Sequence, residues 1–371
     1  MLLEGTAGSK YTTQVKNAFT RSSSGVDAGF VGYGIVGDDE IKMRLKPWFG
    51  ADRIIAGVHP LDVFAAWLTC GSKLFSRGWG DESLLADLSE RTSFAHPPGP
   101  ISVAWSAGAS SNKKIRRDGT FTSPLTSLPK NARTVHVRAW SRAGNTAACV
   151  ILAASRDEGY KMREHIFSAL VDQGLDLYLP ENPFYGLRRT TSSACLATFS
   201  DQALMNLGMV WEARALVEYL RNSYQNLAVA GYSMGGHMAA ITAAVCPFPI
   251  ACAALATGAS AAPIYTQGLL SWSIDLDALA GETDLPSEAN ERLRRLIEAA
   301  DLTRHAPPLR ADAAVLVGCA RDGYVLPTEI QRLHESWPGS ELRWLRAGHV
   351  TAVIRGRRFL RCAVADAAQR L

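Results

Sequence analysis

The chain has 371 residues, of which 47% are hydrophobic and 20% charged, and its formal net charge is +4. This is the composition of an ordinary globular protein that is long enough to bury a large core. The charge is too mild to indicate nucleic-acid binding. No run of about 18 apolar residues predicts a transmembrane helix, and the first residues lack the pattern of a secretory signal.

The first part of the chain predicts an extension without sustained periodicity. Residues 1–55 are rich in Gly, Ser and Thr, and Gly32–Gly37 fits the pattern G-x-G-x-x-G. We do not interpret this motif as a dinucleotide site, because no strand precedes it and acidic residues follow it. Residues 60–90 predict one or two helices. We therefore expect an N-terminal extension over residues 1–98, irregular at first and then helical.

From residue 101 onward the pattern is that of a sheet with crossover helices. Residues 101–105 and 134–140 alternate, as antiparallel edge strands do, and the apolar run Ala147–Ala154 predicts a strand covered on both faces. Helix and strand patterns then alternate. Further strands are predicted at 175–180, 226–230, 251–256, 313–319 and 341–345, and helices at 160–172, 201–221, from 327 and at 350–368. This order predicts an α/β domain over residues 99–371, with a mostly parallel sheet and helices on both faces.

Residues 259–310 interrupt the alternation. Their first half is apolar and aromatic and includes Tyr265 and Trp272, and residues 288–300 predict a charged helix. An insertion between strands on the loop-bearing edge favours a helical cap, with Tyr265 and Trp272 as substrate contacts. The alternative is a pair of ordinary packing helices.

The segment Gly231–Gly235 fits G-x-S-x-G in a structural setting that gives the pattern meaning. A short apolar strand precedes it and an Ala-rich helix follows it. A strained strand-to-helix turn with small neighbours presents its serine above the sheet, which makes Ser233 the predicted nucleophile. The alternative is a glycine-rich turn with a bystander serine.

A serine nucleophile needs a base, and the base needs an acid that orients it. Asp322 directly follows the predicted strand at 313–319, and His349 directly follows the last predicted strand. The chain order nucleophile, acid, base is that of a hydrolase built on this type of sheet. Weaker candidates are Asp301, Asp312, His237, His305 and His334.

An oxyanion hole requires backbone N–H groups near the serine. We expect one from Met234, which follows the nucleophile, and one from Ser155 or Arg156, which follow the predicted strand at 147–154. The segment after the next strand should line the same opening. It carries the candidate substrate contacts Asn182, Phe184 and Tyr185.

Cysteine usage and local charge give weaker indications. The 7 cysteines are scattered, which favours free thiols and a cytoplasmic location. Neither a cofactor nor a metal site is indicated. Of the two basic clusters, 113–117 and 355–361, the second offers peripheral contact with an anionic membrane, although a solvated helix face is the simpler interpretation.

Several motifs together resemble the α/β-hydrolase domain-containing 18 family over roughly residues 72–371. They are Lys73–Gly80, Asp118–Pro124, Glu181–Gly186, Ser233–Ala239, Trp337–Gly339 and Gly348–His349. The resemblance implies an α/β-hydrolase fold, with Ser233, Asp322 and His349 at the triad positions, and suggests an acyl-ester or lipid substrate. This chain departs from the family at residues 151–158, where the family's glycines and histidines are replaced and Asp157 is retained.

We therefore expect a serine hydrolase that cleaves a carboxylic ester, with a lipid ester as one option. Three alternatives use the same scaffold. The triad could act on an amide or peptide, or it could transfer the acyl group to an acceptor other than water. The altered segment at 151–158 also leaves open a catalytically impaired protein that binds a ligand.

Overall fold

The computed structural model describes residues 57–89, 94, 98–111, 113–191 and 195–371. The Gly32–Gly37 motif and the other residues before 57 lie outside the described ranges. Within residues 57–371 the chain forms one ten-stranded sheet with helices before, between and after its strands.

The strands are β1 (Ala104–Trp105), β2 (Ala109–Ser111), β3 (Lys114–Thr122), β4 (Thr134–Ser141), β5 (Ala147–Leu152), β6 (Leu175–Pro180), β7 (Asn226–Tyr232), β8 (Ala251–Leu255), β9 (Ala314–Cys319) and β10 (Glu341–Leu345). The α-helices are α1 (Pro60–Thr69), α2 (Glu82–Ser89), α3 (Lys161–Phe167), α4 (Phe199–Leu220), α5 (Met234–Ala244), α6 (Ala262–Thr266), α7 (Leu276–Ala280), α8 (Pro286–Glu298), α9 (Pro327–Ser336), α10 (His349–Arg355) and α11 (Arg357–Ala368).

The sheet order is β1-β3-β4-β6-β5-β7-β8-β9-β10, and β2 pairs with β3 outside this path. The strands from β6 to β10 in that order are parallel. The pairs among β1 to β4, and the pair β4 with β6, are antiparallel. The mostly parallel α/β sheet predicted from the sequence is confirmed. The strand at 134–140 is internal, however, because β3, which the sequence analysis did not predict, lies outside it.

Alternate residues of the central strands enter two separate cores, one on each face of the sheet. On β5, Val150 and Leu152 pack against α4 and α5, whereas Cys149 and Ile151 pack against α3 and α11. Both sets are fully or almost fully buried. This double coverage explains why β5 reads as a continuous apolar run.

The segment that follows α1 packs against the inserted helices. Leu74 forms a parallel bridge with Ile274, and the indole of Trp79 donates to the Leu279 carbonyl at 2.8 Å. Phe75 stacks on Tyr265 with a ring separation of 6.1 Å. The family motif at 73–80 therefore anchors the insertion that contains α6, α7 and α8. The expected domain boundary after residue 98 stays a prediction.

The predicted helix at 350–368 is two helices, α10 and α11, which meet at Gly356. A side chain at Gly356 would lie 2.6 Å from Leu345 and 2.7 Å from the Ala352 carbonyl oxygen. The chain turns where β10 and α10 leave no room for a Cβ atom. The basic cluster at 355–361 spans this junction.

Candidate active site

Ser233 occupies the turn between β7 and α5 in a conformation that only a constrained residue adopts. Its φ is 56° and its ψ is −121°, which costs a residue with a side chain roughly 1–3 kcal/mol. A Cβ atom on Gly235 would lie 2.4 Å from the Leu152 carbonyl oxygen. The close approach of α5 to β5 therefore requires a glycine, and it fixes the strained turn that presents the serine.

The acid and base candidates converge on this serine from the ends of two neighbouring strands. His349 Nε2 lies 2.9 Å from Ser233 Oγ, and His349 Nδ1 lies 2.7 Å from Asp322 Oδ2. The other carboxylate oxygen of Asp322 accepts the N–H groups of Tyr324 at 2.8 Å and Val325 at 2.9 Å. The structure thus brings together the three side chains selected from the sequence in one hydrogen-bonded chain.

Two opposing effects act on the imidazole. Burial alone lowers the pKa of His349, but the nearby carboxylates of Asp322 and Asp62 outweigh it, so the net pKa is raised above its ordinary value. The Tyr232 hydroxyl donates to the His349 carbonyl at 2.5 Å. The rings of Tyr232 and Tyr324 lie 5.2 Å and 5.1 Å from the imidazole. The histidine is therefore fixed by its main chain as well as by its ring.

The loop after β5 lies beside the serine. Ser155 and Met234 border the same cavity as Ser233. Arg156 has a φ of 63°, so it takes the left-handed conformation that a glycine would adopt more easily. Its N–H donates to the Tyr185 hydroxyl at 3.1 Å. Because the Arg156 N–H is engaged, Ser155 is the better placed of the two expected loop donors.

A buried ion pair holds this loop. Asp157 and Arg163 lie 2.9 Å apart, and both side chains are buried. Nη1 of Arg163 also donates to the carbonyls of Ile151 at 3.0 Å and Pro180 at 2.6 Å. The loop is thereby fastened to the carboxyl ends of β5 and β6. The ion pair with Arg163 thus gives Asp157 a structural role in holding the loop.

The residues after β6 lie beneath the loop instead of along the cavity. Asn182, Phe184 and Tyr185 are all buried, and Asn182 donates to the Ala153 carbonyl at 3.4 Å. Trp272 also lies outside the cavity wall, and its carbonyl accepts a hydrogen bond from Lys73 at 3.0 Å. Of the five substrate contacts expected from the sequence, Tyr265 is the one that borders the cavity.

The cavity beside Ser233 has a volume of about 120 Å³. Its walls come from α4, α5, the insertion and the loop after β5, and most of its surface is apolar. The apolar wall consists of Leu85, Phe94, Phe199, Ala203, Met234, Met238, Ala261, Ile264, Tyr265, Leu270, Leu296, Ile297, Ala299 and Ala300. Its polar members include Gln202, Asn206, His237 and Thr257.

The weaker candidates have other partners. His237 lies in α5, with its Nδ1 3.1 Å from the Gly258 carbonyl oxygen, and burial lowers its pKa. Asp312 pairs with Arg310 at 2.9 Å. The remaining three also lie elsewhere: Asp301 bonds to Thr303 and Arg332, His334 bonds to Ser340, and His305 follows a short helical turn in the insertion.

One buried acid beside the site was not anticipated. Asp62 in α1 accepts hydrogen bonds from the backbone of the loops that carry Asp322 and His349. The sequence held a signal for it, since an aspartate stands among apolar residues in a predicted helix. Its partners are distant in the chain, so no spacing rule points to them.

Two features are absent from the described part of the chain. None of its helices has the length and apolar character needed to cross a bilayer. In the same residues, no three His, Cys, Asp or Glu side chains cluster as a metal site would require.

Comparison with known proteins identifies the family. The model of the family described as alpha/beta hydrolase domain containing 18 matches residues 72–286 and 283–370. The acetyl xylan esterase from Paenibacillus sp. R4 has a similar structure, with a TM-score of 0.53, 13% identity, and 80% of this chain and 98% of that chain covered.

A second solved structure has the same fold. It is acetyl xylan esterase 1 from Thermoanaerobacterium sp. JW/SL YS485, with a TM-score of 0.50, 13% identity, and 81% of this chain and 97% of that chain covered. At such low identity the two structural matches establish the α/β-hydrolase fold alone. The family match spans more than half of the sequence, and this chain therefore belongs to the alpha/beta hydrolase domain containing 18 family.

Proposed function

We propose that this protein is a serine hydrolase that cleaves a carboxylic ester through an acyl-enzyme on Ser233. The observation that supports this most is the hydrogen-bonded chain from Ser233 Oγ to His349 and on to Asp322. The strained backbone of Ser233 and the apolar cavity beside it add to that support.

In the proposed reaction, Ser233 Oγ attacks the ester carbonyl carbon while its proton passes to His349 Nε2. The Met234 and Ser155 N–H groups stabilise the oxyanion of the tetrahedral intermediate. When the C–O bond to the alcohol breaks, His349 returns the proton to the leaving oxygen, and Ser233 keeps the acyl group. Water then repeats the sequence and releases the acid, while Asp322 orients the imidazole throughout.

The cavity size supports a short acyl group. An apolar cavity of about 150 Å³ holds benzene, so the cavity of about 120 Å³ beside Ser233 accommodates roughly five carbon atoms. Its largely apolar lining favours an uncharged acyl chain. A lipid-length chain would have to extend beyond these walls.

A non-catalytic binding protein is the second candidate, and Arg156 is the observation that favours it. A family glycine position is held here by an arginine in the left-handed region, which adds roughly 1–2 kcal/mol of backbone strain to the oxyanion loop. If that strain displaced the Ser155 N–H, binding would survive and turnover would not.

The test is hydrolysis of p-nitrophenyl acetate, butyrate, octanoate and palmitate by the wild type and by Ser233→Ala. We expect kcat/KM to be highest for butyrate or a similar short ester, and to fall by about 10⁴-fold or more in Ser233→Ala. A preference for palmitate would support the lipid alternative. Equal rates for the wild type and the folded Ser233→Ala variant would favour the binding protein.

A further inference from the structure

Asp62 is a fully buried carboxylate whose partners belong to the two loops of the proposed triad. Its side chain is 0% exposed. Oδ2 accepts the N–H groups of His349 at 2.7 Å and Gly323 at 3.1 Å, and Oδ1 accepts the N–H of Val350 at 2.9 Å. One side chain thus joins the residue after Asp322 to His349 itself.

The charge of Asp62 suits this position. Burial raises the pKa of Asp62 and the nearby Asp322 carboxylate adds to this, whereas the hydrogen bonds from Val350 and His349 favour the charged form. All three groups that it contacts are N–H donors, and an ionised carboxylate can accept a hydrogen bond from each of them. His349 and Val350 are the first residues of α10, where a negative charge complements the helix dipole. In most helices, the side chain that caps the first turn belongs to the residue directly before the helix. Here the capping carboxylate comes from α1 and lies 287 residues before His349 in the chain.

The surrounding contacts hold α1 tightly against both loops. The N–H of His59 donates to the Arg321 carbonyl at 2.9 Å. A Cβ atom on Gly348 would lie 2.4 Å from His59 Cβ and 2.7 Å from both carboxylate oxygens of Asp62. Only a glycine at 348 permits this approach. The family match begins at residue 72, so α1 lies outside it.

We propose that Asp62 is a positioning residue that ties the Asp322 loop to the His349 loop and places a second negative charge near the imidazole. The proposal rests on the proposed function, because it assigns Asp62 a task in the same proton relay. Asp62 acts through the main chain of His349 and does not border the cavity.

The charge has an expected consequence for proton affinity. Asp322 and Asp62 both raise the pKa of His349 against the lowering effect of burial. Other titratable groups near Asp62 include Tyr232, Tyr324 and Cys319, whose pKa values are all raised, so they are neutral near neutral pH. His59 is also close, because its carbonyl accepts the Asp62 N–H at 2.9 Å. Removal of the Asp62 charge should therefore lower the pKa of His349.

The test uses the full-length chain with Asp62→Asn, which keeps the side-chain shape, and Asp277→Asn as the control. Asp277 is an exposed aspartate in α7. In Asp62→Asn we expect kcat to fall about 10- to 100-fold with little change in KM. NMR titration of the imidazole should show a lower His349 pKa than in the wild type. The control should match the wild type in both measurements.

Two further readouts separate the possible failures. An unchanged His349 pKa in folded Asp62→Asn would overturn the proposal even if kcat falls, because a purely structural role predicts that result. If Asp62→Asn does not fold, amide hydrogen exchange of the wild type decides. Protected N–H groups at Gly323, His349 and Val350 would support the proposed role of Asp62, and exchange at the rates of exposed loops would overturn it.

Absence of Ser233 labelling by a fluorophosphonate in the wild type would defeat the proposed function, while the imidazole titration would still test Asp62.

Discussion

Close contacts with backbone atoms fix the conformation of the turn that carries Ser233. Ser233 is held at a positive φ because α5 starts directly against β5, where Gly235 meets the Leu152 carbonyl oxygen. The strain at the serine is therefore maintained by contacts around its neighbours, as expected where a reactive group must be presented in one geometry.

Gly235→Ala should destabilise the protein by about 3 kcal/mol or more, because the new methyl group would overlap backbone atoms that cannot move aside. Denaturant unfolding monitored by circular dichroism measures this loss. Gly71→Ala is the matched control, since nothing lies within 4 Å of its Cβ position. Equal stability of the two variants would show that the turn is looser than described.

The raised pKa of His349 predicts the pH dependence of activity. The base must be neutral to accept the Ser233 proton, so kcat/KM should rise with pH through a midpoint above the ordinary value of 6.5. A raised folded-state pKa also stabilises the fold at low pH, and that contribution is lost as pH rises through the folded-state value. As pH rises through the folded-state pKa of His349, activity should therefore increase while the contribution of His349 to folding stability decreases.

Asp322→Asn should reduce kcat by about 10⁴-fold, because the imidazole loses the partner that orients it. The same substitution should move the midpoint of kcat/KM to lower pH, since one of the charges that raise the His349 pKa is gone. A pH–rate profile of the variant measures both effects. A midpoint that moves to higher pH would contradict the assignment of His349 as the base.

Among the helices, α8 contributes a wall of the cavity beside Ser233. Leu296 and Ile297 from α8 form one wall, and α5, the helix that follows Ser233, forms another. The insertion is anchored to the segment after α1 by Trp79, which also lies 4.3 Å beneath the guanidinium of Arg292 in α8. The wall that α8 contributes to this cavity is therefore held in place by the family motif at 73–80.

Leu296→Trp should fill the cavity and restrict the enzyme to the smallest acyl groups. We expect kcat/KM for butyrate to fall about 10-fold or more while acetate is affected far less. Leu285→Trp is the control, because Leu285 precedes the same helix and is 63% exposed. If both variants keep the wild-type ratio of butyrate to acetate, the acyl group binds elsewhere.

The sequence predicted the buried parallel strands well, because their apolar runs are continuous and Gly, Pro or Asp residues bound them. It did not predict β3, where Lys114, Arg116 and Arg117 interrupt the apolar alternation and cross-strand pairing with β4 stabilises the strand instead. Ser233, Asp322 and His349 could be predicted as a triad because each follows a strand. Asp62 was missed because its three partners lie more than 250 positions away in the chain.

Over the whole molecule, the parallel sheet is what brings these distant residues together. The order β6-β5-β7 places the loop after β5 next to the serine turn after β7, and β9 and β10 bring Asp322 and His349 to the same carboxyl edge. Residues that follow neighbouring parallel strands share that edge whatever their distance in sequence. Helix α1 contacts the same edge through Asp62, which accepts hydrogen bonds from Gly323, His349 and Val350.

Reaction with a fluorophosphonate, followed by peptide mass spectrometry, tests the proposed chemistry most directly. The wild type should gain one phosphonyl group, located on Ser233, and Ser233→Ala should gain none. His349→Ala should react about 10³-fold more slowly or worse, because the hydroxyl then lacks its base. Labelling at another residue, or no labelling of the folded wild type, would contradict the assignment of Ser233 as the nucleophile.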